Sequence, residues 1–265
     1  MYAFDYHRPQ SVAEAAKLLA SNAEAKLLAG GHTLLPTMKQ RLAHPQAIVD
    51  LSHVAELKGI DKRGNALVIG AMTTHDEVAT SAVVKGAIPG LAEVAHGIGD
   101  PHVRNRGTIG GSVANNDPAA DYPAVLLALG ASIGTNKREI AADAFFKGLF
   151  ATALDDGEII TRISFPVPAK FAYMKFANPA SKYALVGVAV AQTGKEARVA
   201  VTGAGNDGAF RVPAMEAALA KSWSAQSLAG ITLKPADMLS DIHADAAYRA
   251  HLVGVLAKRA VAKAG

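Results

Sequence analysis

Residues 98–123 read IGDPHVRNRGTIGGSVANNDPAADYP. Four glycines and three prolines leave little helical or strand period in this stretch. A run of that length without secondary structure inside a compact domain is usually functional or disordered, so a long loop is expected here. Within it, Thr108-Ile109-Gly110-Gly111-Ser112 is followed closely by Asn115, Asn116, Asp117 and Asp121. Bare N–H groups beside glycine suit a diphosphate, hydroxyl and amide side chains add donors, and a carboxylate suits the hydroxyls of a ribose. A plain polar surface loop is the competing reading. Against it, Val113 and Ala114 interrupt the polarity, as if the loop were pinned to a core.

A second glycine turn lies upstream, in LLAGGHTLLPTM at residues 27–38. Ala29-Gly30-Gly31-His32-Thr33 follows a short apolar strand, and small residues there let successive N–H groups converge on an anion. On its own this reads first as a tight strand-to-helix turn with no ligand. Two such turns together suggest a cofactor with an extended pyrophosphate. A third motif, Gly203-Ala-Gly205-Asn-Asp-Gly208, is a literal G-x-G-x-x-G, yet it is read as a structural turn. A dinucleotide fingerprint opens the helix after the first strand of a parallel βαβ unit. This one comes late, after two strands too closely connected to be parallel, and Pro213 marks the next helix start.

The chain has 265 residues, half of them apolar, with 27 Lys plus Arg against 23 Asp plus Glu. No basic run exceeds two residues, so nucleic acid is not an expected partner. The absence of cysteine excludes disulfides, thiolate zinc sites and cysteine-ligated iron–sulfur clusters in this chain. The N-terminus lacks a signal-peptide pattern and no apolar run is long enough to span a bilayer; a cytoplasmic location is expected.

Two capping boxes are legible, Ser11 with Glu14 and Thr74 with Glu77, each opening a helix. Strands are expected at 25–30, 47–52, 65–74 and 158–168. Pro166 and Pro168 suggest a boundary, after which three strands succeed one another and two helices follow, around 213–222 and 243–263. Catalytic machinery is sparse. The nine histidines have no metal spacing, no G-x-S-x-G elbow occurs, and Asp155, Asp156 and Glu158 sit in an expected surface turn. Arg104 and Arg106 are candidates to neutralise phosphate, or part of a solvated loop. The pattern is one of holding a cofactor that carries the redox chemistry itself.

The segments AGGHTLLPTMKQR, IGDPHVRNRGTIGGSVANNDPAADYPA and KFANPASKYALVGVAVA resemble the FAD-binding medium subunit of molybdenum hydroxylases, the carbon monoxide dehydrogenase and xanthine dehydrogenase type. The resemblance runs over essentially the whole chain. It implies an α+β fold: a two-lobed FAD-binding domain of the vanillyl-alcohol oxidase (PCMH) type over 1–168, with lobes of about 1–55 and 56–168. A small α+β domain, 169–265, would follow, with a three-stranded antiparallel sheet and helices.

It further implies that Ala29, Gly30, Gly31, His32, Thr33 and Leu34 cradle the FAD diphosphate from one lobe. Thr108, Ile109, Gly110, Gly111 and Ser112, with Asn115, would do so from the other, and Asp121 would take ribose hydroxyls. Ile98, Ile160 and Lys175 match positions near the flavin or its linker, and Tyr183 matches a tyrosine beside the isoalloxazine. The implied partners are a small subunit with [2Fe–2S] clusters and a large subunit with the molybdenum cofactor, as a dimer of heterotrimers. FAD would collect electrons and release them to an external acceptor. The lack of cysteine argues against the benzoyl-CoA reductase branch. Two other readings stay open: a self-sufficient FAD oxidoreductase using His102 or Tyr183 on a small substrate, and a non-redox assembly module.

Overall fold

The computed structural model describes residues 1–265. Its first lobe is a three-stranded parallel sheet. Strands β1 (Asp5–His7), β2 (Ala25–Leu28) and β3 (Ala47–Asp50) lie in the order β1-β3-β2, joined by α1 (Val12–Ser21) and α2 (Leu34–Lys39). The Ser11 hydroxyl accepts the Glu14 N–H at 3.1 Å, so α1 begins where the capping box predicts. Ala15, Val49, Leu51, Val54 and Leu57 form this lobe's core, which also takes in Met72 and Ile159 from the second lobe. Strand β1 has only three residues, too few to show a period.

The second lobe holds a five-stranded antiparallel sheet. Its strands are β4 (Ile60–Arg63), β5 (Ala66–Gly70), β6 (Ser132–Thr135), β7 (Glu139–Ala141) and, further along, Ile160–Pro166. That last strand lies between β5 and β6, bringing the end of the lobe into its middle. Helices α3 (His75–Thr80), α4 (Ala82–Ala87) and α5 (Pro89–His96) precede the 98–123 stretch. The Thr74 capping box forms in both directions.

The expected long loop over 98–123 does not exist. The stretch folds into α6 (Pro101–Arg104), α7 (Ile109–Asn115) and the start of α8 (Asp121–Leu129). Propensity does not make these helices; caps and burial do. The Asp100 carboxylate accepts from Val103 N–H and the Thr108 hydroxyl from Gly111 N–H, while Ile109 and Val113 are buried. Asn116 ends α7 in the left-handed region, φ 44°, and its amide donates to the carbonyls of Gly148 and Ala151. Every residue of α8 is buried, as befits a helix apolar nearly all round. In the expected surface turn at 155–158, Asp155 and Asp156 are exposed as expected and only Glu158 departs from the reading. Glu158 is buried, paired with Arg138 at 2.9 Å and accepting from Thr135 and the Asp155 N–H.

A short helix, α9 (Ala142–Phe145), and a small hairpin, β8 (Phe146–Gly148) with β9 (Ala151–Thr152), complete this part, so the strand Ile160–Pro166 is β10. The C-terminal sheet is antiparallel, β11 (Lys170–Ala177), β12 (Ala184–Thr193), β13 (Glu196–Thr202) and β14 (Phe210–Arg211). It has four strands, not the expected three; β14 is two residues long and leaves no pattern. Helices α10 (Pro213–Lys221) and α11 (Ala246–Ala264) pack on this sheet. Ala189, Ala191 and Ala200 join the core around α8, so α8 lies between two sheets. Beside it, the Gly203 N–H donates to the Pro118 carbonyl at 2.8 Å, and a Cβ at Gly203 would overlap the Ala184 carbonyl. The third glycine motif therefore starts with a packing turn that ties the C-terminal sheet to the chain before α8.

Candidate functional site

A cavity of about 780 Å³ opens between the two lobes and the β11–β12 loop. Its first wall is the turn after β2. A Cβ at Gly30 would overlap the Arg106 carbonyl oxygen and lie 2.7 Å from Gly107 Cα. Only glycine lets the two backbones meet so closely. The next residue, Gly31, has φ +79°. The consequence is electrostatic: none of the N–H groups of Gly30, Gly31, His32, Thr33 and Leu34 donates to a group of the protein. Five consecutive main-chain donors without a protein acceptor, on residues that line the cavity, suit an anion.

The second turn touches the first but differs in kind. A Cβ at Gly111 would sit 3.3 Å from the Ala29 Cβ and 2.9 Å from the Thr108 hydroxyl. Its amides, expected to be bare, are spent. Ile109 N–H donates to Thr73, Gly110 N–H to Ala71, Gly111 N–H to the Thr108 hydroxyl and Ser112 N–H to the Thr108 carbonyl. The Thr108 N–H is free, and the Ser112 hydroxyl and Asn115 amide have no protein partner. This side thus offers mainly side-chain donors, because the turn uses its backbone to close α7 and join β5.

Fifteen of the seventeen sequence-predicted residues line the cavity: Ala29 to Leu34, Ile98, Thr108, Gly110, Gly111, Ser112, Asn115, Asp121, Ile160 and Tyr183. Ile109 is wholly buried beneath α7 and only anchors it. Lys175 stands behind the wall, its ammonium on the Gly97 carbonyl at 2.8 Å and Asp121 Oδ2 at 3.0 Å. Asp121 is 5% exposed, and Tyr173 donates to its other oxygen. Burial pushes the Asp121 carboxyl up while Lys175 and Tyr173 oppose it. Both oxygens are therefore engaged by the protein. Arg104 donates to the carbonyls of Ile98 and Gly99 at 3.1 Å each, so it braces a turn rather than facing a phosphate. His102 lies outside the cavity lining.

Several lining residues carried no usable sequence signal. His75 is 4% exposed with an unpartnered Nδ1, and burial, helped by His32 and Arg104, pulls its pKa down to about 4. It is a neutral ring at neutral pH, read in the sequence only as the first residue of a capped helix. Met72, Ser181 and Lys182 also line the cavity, as does Asp117 from the glycine motif.

Residues 2–168 match the model described as the FAD binding domain in molybdopterin dehydrogenase, and residues 171–264 match the CO dehydrogenase flavoprotein C-terminal domain. The chain belongs to this flavoprotein family. The flavoprotein is 37% identical over 274 residues to the carbon monoxide dehydrogenase medium chain of Hydrogenophaga pseudoflava, covering 97% of this chain and 96% of the relative. It is 35% identical to the nicotine 6-hydroxylase medium subunit of Paenarthrobacter nicotinovorans, covering 99% and 98%. Among solved structures, the reconstituted CO dehydrogenase from Oligotropha carboxidovorans superposes with a TM-score of 0.90 at 36% identity, covering 99% of this chain and 98% of that one. The flavoprotein is thus an oxidoreductase subunit that takes FAD. The site fits that cofactor: the free amides of Gly30–Leu34 match a diphosphate, and the apolar walls of Ile98 and Ile160 match an aromatic ring system. No helix is long and apolar enough to cross a membrane.

Proposed function

We propose that this chain is the electron-transfer subunit of a heterotrimeric molybdenum hydroxylase. Electrons arrive from [2Fe–2S] clusters on a small partner subunit, fed by a molybdenum cofactor on a large one, and leave to an external acceptor. The assembly is a dimer of heterotrimers in the cytoplasm. FAD supplies the step between one-electron and two-electron carriers. Residues 1–168 hold it and 169–265 close the cavity from the side. The Gly30–Leu34 amides bind the diphosphate; Thr108 N–H, Ser112 and Asn115 add donors; Tyr183 stands at the mouth.

The observation that carries this reading is the row of five unpartnered amides at the contact of the two lobes. Of the two groups that direct substrate oxidation would use, His102 is outside the lining and Tyr183 is within it. In the purified complex, substrate of the large subunit should bleach the flavin absorbance, while the same substrate leaves the isolated chain oxidised. Direct reduction of the isolated chain by an aldehyde or alcohol overturns the proposal.

A further inference from the structure

Two buried polar groups without a hydrogen-bond partner lie side by side at the cavity. One is His75 Nδ1, in a ring that lines the cavity and is 4% exposed. The other is the hydroxyl of Tyr122 on α8, whose ring packs on that of His75 with centroids 5.5 Å apart. The imidazole stands one residue behind the amide turn. A Cβ at Gly107 would meet His75 Nε2 at 2.7 Å, and the Cα of Gly107 is 2.7 Å from where a Cβ of Gly30 would be. Two basic groups face the ring, His32 from the turn and Arg104 from α6, and both help burial to keep it neutral. No carboxylate is among the causes. On α3 itself Asp76 is the next residue and Glu77 is engaged in the Thr74 cap. Lys85 of α4, Glu93 and His96 of α5, and His102 of α6 are exposed on the helices packed against α3.

We propose that His75 is a proton-uptake site coupled to cofactor binding: a diphosphate seated on the Gly30–Leu34 amides draws one proton from solvent onto the ring, and the imidazolium holds the anion in turn. This rests on the diphosphate lying at those amides, as proposed above. The chemistry follows from the neighbours. A base kept neutral by burial and by positive charge changes state when negative charge arrives. The diphosphate of FAD is esterified at both ends, so the ring, not the ligand, takes the proton. The idle Tyr122 hydroxyl can accept the N–H that the ring gains, directly or through a bound water. The free ring is pulled down to about 4, and the anion raises the bound one above that. Affinity is therefore gained as pH falls through the bound value, and the gain levels off near pH 4.

The test titrates the full-length apoprotein with FAD by calorimetry at about pH 6, in two buffers of different ionisation heat, and repeats the titration at about pH 8. The two buffers should give different apparent heats, which report proton uptake, and FAD should bind several-fold more tightly at the lower pH. His75→Gln should remove both effects, and His32→Gln should keep the uptake. Ring ¹⁵N shifts of His75 in the wild type read the same event without a substitution, and they decide the matter if His75→Gln does not fold: neutral without FAD, imidazolium with it. The proposal is overturned by binding without proton uptake, by uptake that survives in folded His75→Gln or is lost in His32→Gln, or by a ring still neutral with FAD bound. Failure of the wild type to bind FAD, or full retention of FAD by Gly30→Ala, refutes the seat at the amides instead.

Discussion

At the scale of single residues, Gly30 decides the site. Its missing side chain lets one lobe's turn rest against the backbone of Arg106 and Gly107, which brings the free amides of 30–34 to the cavity. Gly30→Ala should force the turns apart, because the obstruction is backbone and cannot rotate away. The purified variant should carry little flavin, read as the ratio of flavin to protein absorbance, while wild-type occupancy in that variant contradicts the packing described here. The glycine pair was legible in the sequence, but only its pairing with the second glycine turn set it apart from a plain strand-to-helix turn. The sequence could not separate Asp117 from Asp121. Their difference lies in Tyr173 and Lys175, more than fifty positions downstream, and a linear pattern carries no trace of that meeting.

At the scale of elements, caps and pairing matter more than periodicity. Helix α7 contains Gly110 and Gly111 and would be poor by propensity. It forms because Thr108 caps it and Ile109 and Val113 bury beneath it, which is why 98–123 reads as loop in the sequence. In the segment 155–158, Glu158 alone departs from the expected surface turn, for a similar reason. The acid cluster looks solvated, yet Glu158 reaches Arg138 and Thr135 across the turn after β6. The hydrogen bond from Arg138, with others from Asp155 N–H and Thr135, holds the Glu158 carboxyl down to about 2, against an ordinary 4.5. A depressed folded value means that the unfolded chain takes the proton first. The stabilisation is therefore full above about pH 4.5 and is lost as pH falls towards 2. Melting temperature should drop across that window in wild type and drop less steeply in Glu158→Gln; parallel curves would remove Glu158 from the pH response.

At the scale of the whole molecule, three sheets meet around one cofactor-sized cavity. The parallel sheet of the first lobe delivers the amide turn, the five-stranded sheet carries α7 and its cap Thr108, and the third sheet supplies Tyr183 from its β11–β12 loop. The succession of strands and helices was largely legible, because long apolar strands such as β12 and capped helices announce themselves. Topology was not. Strand β10 inserts between β5 and β6 from far along the chain, and β1 and β14 are too short to have a period. The central claim concerns only one side of the cavity: main-chain donors come from the first lobe, while the second has used most of its own. Amide chemical shifts of the uniformly ¹⁵N-labelled protein, compared without and with FAD, test this most directly. Gly30 to Leu34 should move strongly downfield as they gain a diphosphate acceptor, with Ile109 to Ser112 shifting little; large shifts at 109–112 and unmoved amides at 30–34 would contradict it.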